Sequence, residues 1–182
     1  ITTNYTYLGS EVTWPIYLHG TIGKAKEDLD RAQAALVEPM AEIDGKAYVA
    51  VMKGLVTQAA SAIPGMSIYL SLLFKAMKDA GSHEGCIEQT TRLYDTQLYA
   101  EEDLRLDEQG RIRMDELELA PEIRQFVADN WSNVVEDNMD SLTDFAGYRS
   151  AFLELHGFEV EGTDYDADVE ADVALKLDAG SA

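Results

Sequence analysis

The first 80 residues alternate between short runs with strand periodicity and longer runs with helical periodicity. Residues 4–8 alternate polar and aromatic side chains and stop at Gly9, which predicts a strand followed by a turn. Residues 46–52 form a short apolar run that is typical of a buried parallel strand. Between these runs, apolar positions recur at helical spacing, with Thr21 as the expected N-cap and Pro39 as the expected end.

The later part of the pattern is mostly helical. Residues 66–80 are apolar nearly all round, which predicts a helix buried between other elements. The remaining predicted elements are helices at 84–99, 114–131 and 140–155 and a small hairpin at 106–113. Within 114–131, a second helix that opens at Pro121 is the alternative. Strand–helix–strand–helix followed by helices favours an α/β fold.

The composition allows one sizeable core. The chain has 182 residues, of which 46% are apolar, enough for one compact unit. We place that unit at residues 1–158, because residues 159–182 are rich in carboxylates and predict an acidic tail that is extended or partly disordered. The chain opens on Ile1 beside a predicted strand, and we therefore expect it to be part of something longer.

The charge balance excludes several classes of partner. The formal net charge is -20, from 34 acidic and 14 basic residues. Nucleic acids and anionic membrane surfaces are bound by cations, so we expect neither as a partner. No run approaches the roughly 20 apolar residues of a membrane-spanning helix, so we expect no membrane insertion. An anionic substrate would need a local basic patch, which this chain barely offers.

The histidines and the single cysteine show no metal-binding pattern. His19, His83 and His156 lack the spacing of a zinc or paired-carboxylate motif, and we predict no metal site. Cys86 excludes an internal disulfide. We expect it to be a small buried side chain near a helix start.

Tyr17 and Lys26 are candidates for a proton-donating pair. A neighbouring ammonium favours the phenolate and is expected to lower the pKa of a tyrosine from its usual value near 10. Nine steps of about 100° bring two side chains to opposite faces of a regular helix. The pair therefore requires Tyr17 to lie before the helix of Lys26, in an irregular segment between Pro15 and Gly20.

Several blocks of the sequence resemble the trans-2-enoyl-CoA reductases of the FabV/TER type. The blocks around the pair read TWPIY at 13–17 and GTIGKAK at 20–26. Further similar blocks follow in the same order: 55–59, 61–64, 83–89, 110–113, 142–144 and 146–148, with 5–9 ahead of the pair. The resemblance covers the chain up to about Val169.

The resemblance implies a fold and an activity. The fold would be the C-terminal half of a Rossmann-like, short-chain-reductase-like parallel sheet with additional helices. The activity would be NADH-dependent reduction of the 2,3-double bond of an enoyl-CoA substrate. No GxGxxG loop follows a strand in this sequence, so the resemblance also implies that the nucleotide phosphates bind to a missing N-terminal half.

The resemblance also implies roles for individual residues. Tyr17 would donate the proton, and Lys26 would contact the nicotinamide ribose and tune Tyr17. The other implied contacts are Leu55, Val56 and Thr57 at the nicotinamide and Tyr7, Phe74 and Tyr148 at the substrate. The residues themselves leave alternatives open: Tyr7 and Phe74 are also typical of core positions, and Lys24 could take the role of Lys26.

Two hypotheses of function follow. The first is an enzyme, part of an NADH-dependent trans-2-enoyl-CoA reductase. The second is a reductase-derived structural subunit of a larger assembly, suggested by the high acidity and the absent phosphate loop. The expected location is the cytoplasm for a bacterial protein and the mitochondrial matrix for a eukaryotic one.

Overall fold

A parallel sheet of three strands lies at the centre of the α/β fold. The computed structural model describes residues 1–100 and 104–170. The strands are β1 (Thr2–Thr6), β2 (Ala47–Val51) and β3 (Ile112–Arg113), paired in the order β1-β2-β3. The predicted strand at 46–52 is confirmed. The first strand begins and ends two residues before the predicted one, so that Tyr7 lies just beyond its carboxyl end.

Eight α-helices are present in the described residues. They are α1 (Trp14–Tyr17), α2 (Thr21–Ala41), α3 (Gln58–Ser61), α4 (Met66–Asp79), α5 (Cys86–Leu93), α6 (Pro121–Asn130), α7 (Met139–Leu142) and α8 (Phe145–Glu154). A π-helical turn, Tyr94–Leu98, continues α5, and two 3₁₀ turns, Trp131–Asn133 and Glu136–Asn138, follow α6. The buried helix at 66–80 and the helix opening at Pro121 are confirmed.

Several predicted boundaries are wrong. Pro15 occupies the first turn of α1, where its missing N–H costs no hydrogen bond, so the segment predicted as irregular forms one helical turn. Gly20 and not Thr21 is the N-cap of α2. Pro39 lies inside the last turn of α2, at an exposed position where one lost hydrogen bond does not stop the helix. The hairpin at 106–113 is reduced to a single bridge between Leu106 and Ile112.

The last predicted helix is divided in two. Thr143 adopts an extended conformation and Asp144 then caps α8, its carboxylate accepting a hydrogen bond from the Gly147 N–H at 3.0 Å. Residues 159–170 contain neither helix nor strand and are exposed. The rest of the predicted acidic tail lies outside the described residues, and the division at 158 stays a prediction.

Two apolar clusters hold the fold together. The larger is centred on α4, whose Leu70, Leu72 and Leu73 are fully buried and which packs against α6 and α8. Each such leucine contributes about 1.5–3 kcal/mol through burial. The smaller cluster joins Ala50 of β2 and Ile112 of β3 to the end of α5. The smaller cluster therefore packs the sheet against α5.

Candidate active site

The carboxyl ends of the three parallel strands meet at one edge of the sheet. Tyr7 directly follows β1, and Lys53 and Gly54 follow β2. Glu118 lies downstream of β3. Ligands of open α/β sheets bind at this edge. A cavity of about 680 Å³ opens there, lined by Tyr7, Tyr17, Lys26, Lys53, Leu55 and Thr57 together with apolar neighbours.

Tyr17 and Lys26 come together across the break between α1 and α2. Tyr17 ends α1 and is 8% exposed, and the Lys26 ammonium nitrogen lies 5.0 Å from the centroid of its ring. Gly23 permits this approach, because a Cβ there would lie 2.0 Å from the Leu18 carbonyl oxygen. The predicted arrangement, with Tyr17 ahead of the helix of Lys26, is thus present, although Tyr17 lies on a short helix of its own.

Tyr7 completes a cluster of two aromatic rings and one cation. Its ring meets the Tyr17 ring edge-on, with centroids 4.7 Å apart and planes at 88°. The Lys26 nitrogen lies 5.6 Å from the Tyr7 centroid. Within residues 1–100 and 104–170, the ammonium of Lys26 has no carboxylate at ion-pairing distance. The two rings are therefore its cation–π partners.

The electrostatics of the pair differ from the expectation. Burial raises the pKa of Tyr17, and the negative charge of Glu118 raises it further, so the predicted lowering by Lys26 is wrong for this state. Burial lowers the pKa of Lys26 to about 8, with the Asp30 carboxylate opposing the change. Near neutral pH, Tyr17 keeps its proton and the Lys26 amine is close to its titration range.

Glu118 is a fully buried carboxylate behind Tyr7. Its Oε1 accepts hydrogen bonds from the Tyr7 hydroxyl at 2.7 Å and from the Tyr69 hydroxyl at 2.5 Å. Its Oε2 accepts from the Gly54 N–H at 2.5 Å. Burial raises the pKa of Glu118, and these three donors act in the opposite direction. The charge of Glu118 in turn adds to burial in raising the pKa values of Tyr7 and Tyr69 well above the usual range.

Lys53 is a buried cation whose charge acts on this carboxylate. It is 2% exposed, and its ammonium donates to the Gly54 carbonyl at 3.3 Å. Burial lowers its pKa, and the charges of Glu84 and Glu118 oppose that effect. A buried anion and a buried cation thus compensate each other beside the cavity.

Sequence reasoning missed Glu118, Tyr69 and Lys53. A signal for Lys53 existed, since a charged residue immediately after a buried parallel strand lies at the ligand-binding edge of a sheet. Nothing marks Glu118 in the sequence, because it is one of 34 acidic residues and its partners lie 49 to 111 positions away.

The predicted nicotinamide segment lies after β2. Leu55 and Thr57 line the cavity, whereas Val56 is 7% exposed and lines a second cavity. The Thr57 hydroxyl oxygen caps α3 by accepting from the Ala60 N–H at 3.0 Å, so its hydroxyl hydrogen remains available as a donor. The segment therefore offers one hydroxyl donor beside apolar surface.

The predicted acyl-binding residues lie apart from Tyr17. Phe74 lines the second cavity, of about 540 Å³, which shares Leu55 and Cys86 with the first. Tyr148 is buried in the core against Phe145 and is among the lining residues of neither cavity. Cys86 is exposed at the first position of α5, so its expected burial is wrong.

Across residues 1–100 and 104–170, no three histidine, cysteine, aspartate or glutamate side chains are grouped so that they could hold a metal ion. In the same part, no helix has the length and apolar character needed to cross a membrane.

Comparisons with known proteins agree with this geometry. Residues 1–99 match the family model described as the trans-2-enoyl-CoA reductase catalytic region, and residues 106–169 match the enoyl reductase FAD binding domain. The chain is 52% identical over 173 residues to the NADH enoyl-(acyl-carrier-protein) reductase of Edwardsiella ictaluri, covering 95% of this chain and 43% of that protein. It is 53% identical to the FabV reductase of Aeromonas salmonicida, with the same coverage.

Solved structures show the same similarity. The trans-2-enoyl-CoA reductase of Clostridium acetobutulicum in complex with NAD superimposes with a TM-score of 0.88 at 40% identity, covering 93% of this chain and 44% of that one. The Treponema denticola enzyme in complex with NAD gives 0.84 at 46% identity, covering 92% and 42%. The chain thus spans less than half the length of these relatives.

The parallel sheet with a tyrosine–lysine pair at its carboxyl edge is part of a Rossmann-like reductase fold. The chain belongs to the trans-2-enoyl-CoA reductase family.

Proposed function

We propose that the protein reduces the 2,3-double bond of trans-2-enoyl thioesters with NADH, in fatty acid metabolism. The observation that carries the proposal is the Lys26 ammonium beside the Tyr17 ring, in a cavity at the carboxyl ends of the strands. The relatives named above are NADH-dependent enoyl reductases, which supports the choice of reaction and cofactor.

The residues of the cavity fit the nicotinamide end of NADH. The lining is largely apolar, as a flat ring requires, and Lys26 and Thr57 supply donors for ribose hydroxyls or the carboxamide. Leu55 would border the ring, and Val56, which lines the second cavity, would contribute backbone groups. The phosphates would bind outside this chain, to the N-terminal half implied by the resemblance, because the sequence offers no GxGxxG loop. No flavin role is assigned, since the cavity is lined by residues 5–90, outside the FAD-named match.

Tyr17 acts as the proton donor in this proposal. When bound, NADH supplies a hydride to the β-carbon of the substrate. Tyr17 then gives its proton to the α-carbon: the phenolic O–H bond breaks as the new C–H bond forms. The phenolate left behind is stabilised by the Lys26 ammonium and recovers a proton from solvent. The raised pKa of Tyr17 keeps the proton in place until the substrate takes it.

The acyl chain would extend toward the second cavity. Because the two cavities share Leu55 and Cys86, a chain entering beside Tyr7 can reach Phe74. Tyr148 is buried in the core and would affect the acyl chain only indirectly, through core packing. Both assignments remain part of the proposal.

The thioester carrier and the cellular setting are open to direct test. The curated relatives are named for acyl-carrier-protein substrates and the solved structures for coenzyme A substrates. Both carriers should therefore be assayed; we propose coenzyme A as the substrate form. The named relatives come from bacteria, which favours the cytoplasm and gives no support to a mitochondrial location. The alternative of a structural subunit gains no support from them either.

Tyr17→Phe in the intact natural protein tests the proton-donor role. We expect kcat with NADH and crotonyl-CoA to fall by about 100-fold or more, because a positioned general acid contributes about that much. NADH binding, measured by fluorescence, should remain unchanged, because the phenyl ring still fills the position. A variant with wild-type kcat would exclude Tyr17 as the donor.

Tyr165→Phe is the matched control. This tyrosine is exposed, and within residues 1–100 and 104–170 its hydroxyl bonds to the backbone of Gly157 and Val160, far along the chain from the site. We expect no change in kcat. An equal loss in both variants would point to impaired folding and not to chemistry.

A further inference from the structure

The Glu118 carboxylate connects the substrate side of the site to the cofactor side. Through Oε1 it holds the hydroxyl of Tyr7, and the ring of Tyr7 lies against Tyr17. Through Oε2 it holds the Gly54 N–H, directly before the Leu55 segment. The Glu118 carboxylate thus joins the residue that follows β1 to the segment that follows β2. In the proposed reaction, Tyr17 and the nicotinamide would meet between these two strand ends.

The hydrogen bond of Tyr7 also limits what Tyr7 can do. A phenol has one hydrogen to donate, and that of Tyr7 is directed to Glu118 at 2.7 Å. Hydrogen bonds to a buried carboxylate are among the stronger ones in proteins. While this bond stands, Tyr7 has no donor left for a thioester oxygen and presents only its ring to the cavity.

Tyr69 is a second hydrogen-bond donor to this carboxylate, on its core side. Its hydroxyl donates to the same Oε1 at 2.5 Å and lies 3.0 Å from the Ser10 hydroxyl. Tyr69 is 1% exposed and does not line the cavity. Tyr69 therefore reaches the site from the core, through Glu118 and through Ser10 ahead of α1, and it serves as a second probe of this carboxylate.

Resting on the proposed reductase function, we propose that Glu118 is a positioning residue: its carboxylate holds the Tyr7 ring against Tyr17 and fixes the Gly54 backbone, so that Tyr7 meets the substrate by its ring and not as a hydrogen-bond donor. A buried carboxylate destabilises the fold unless it is paired or hydrogen-bonded. Placing one at this junction is therefore consistent with a role in the site.

Glu118→Gln in the intact protein provides the test. The amide keeps the shape, but its NH₂ cannot accept from the Gly54 N–H while its oxygen serves the tyrosines. With NADH and crotonyl-CoA we expect kcat to fall by about tenfold or more, since small misplacements of catalytic groups have effects of this order. The KM for NADH should rise by a smaller factor, because the lost Gly54 bond loosens the segment that would border the nicotinamide. A purely structural role would instead lower the folded fraction, measured by urea unfolding, and leave kcat per folded molecule unchanged.

A double-mutant cycle separates positioning from direct contact. If Tyr7 acts through its bond to Glu118, Tyr7→Phe should lower kcat by no more than Glu118→Ala, which removes the acceptors of both Tyr7 and Gly54, and the double variant should be no worse than Glu118→Ala alone. A Tyr7→Phe loss far larger than that of Glu118→Ala would mean that the Tyr7 hydroxyl contacts the substrate, and the proposal would fail.

Two further variants keep the test decisive. Tyr69→Phe should lower kcat in the same direction by a smaller factor, and it serves in place of Glu118→Gln if that variant does not fold. Glu116→Gln alters a half-exposed carboxylate in the same segment that pairs with Arg92, and it should leave kcat unchanged. Wild-type kcat in both Glu118→Gln and Tyr69→Phe would overturn the positioning role. An inactive wild-type protein would instead overturn the proposed function.

Discussion

Replacing Lys26 by methionine tests whether partial burial of the Lys26 ammonium at the candidate site destabilises the fold. The ammonium of Lys26 is half-buried beside two aromatic rings. Methionine keeps the apolar stem and removes the charge. Because burial disfavours the charged amine, we expect the variant to be more stable than the wild type near neutral pH.

The size of the effect follows from the pKa. Burial lowers the Lys26 pKa from 10.5 to about 8, a difference of about 2.5. At about 1.36 kcal/mol per pKa unit, the upper limit is about 3 kcal/mol. Solvent reaches part of the side chain, and screening reduces this to about 1–2 kcal/mol. Losing the cation–π contacts costs about 0.5 kcal/mol, so the net gain is about 1 kcal/mol.

Urea unfolding of the intact protein at several pH values measures this gain. Between about pH 8 and pH 10.5 the unfolded state of the wild type binds more protons than the folded state, so wild-type stability rises with pH there. The excess stability of Lys26→Met should therefore be largest near neutral pH and disappear across this window.

Lys24→Met is the matched control for Lys26→Met. Lys24 lies two residues away on the same helix and makes an exposed ion pair with Glu27. Its removal should change the free energy of unfolding by less than about 0.5 kcal/mol. The reasoning is refuted if Lys26→Met is no more stable than Lys24→Met, or if the difference between them does not depend on pH.

Two further predictions concern stability, with urea unfolding as the measurement. Gly65→Ala should cost about 1–2 kcal/mol, because Gly65 has φ +81° and its new Cβ would lie 3.1 Å from the Trp131 ring; Gly81→Ala, at φ +68° in open space, should cost less. Asp144→Ala should cost about 1–2 kcal/mol by removing the acceptor of the Gly147 N–H, and Asp144→Asn, which keeps an acceptor oxygen, should recover most of it.

The candidate site contains several buried ionisable side chains, which are rare in protein cores. Burial disfavours the charged forms of Glu118, Lys53 and Lys26, and all three lie at the carboxyl ends of the strands. Groups of this kind are frequent where chemistry requires fixed charges in a dry environment. Stability is lost at such sites in exchange for activity.

Local pattern was sufficient for elements whose burial is uniform. The side chains of the apolar run 46–52 and of the all-round apolar run 66–80 can avoid water only inside the protein. Both runs form the predicted elements. Helix boundaries were harder to predict, because a single polar residue or proline changes the free energy of ending a helix at a given position only slightly. Pro39 inside α2 and the division of 140–155 at Thr143 are examples.

The sequence by itself determined the family, the parallel α/β class and the candidacy of Tyr17 and Lys26. It also predicted that the two could meet only across a break before the second helix, since helical geometry is local. Only the tertiary structure decided which charges surround them. Glu118 reaches Tyr7 across 111 positions, and burial of Tyr17 together with the negative charge of Glu118 raises the pKa of Tyr17, where Lys26 alone was expected to lower it. Burial and long-range proximity are properties of the packed chain, and no local pattern encodes them.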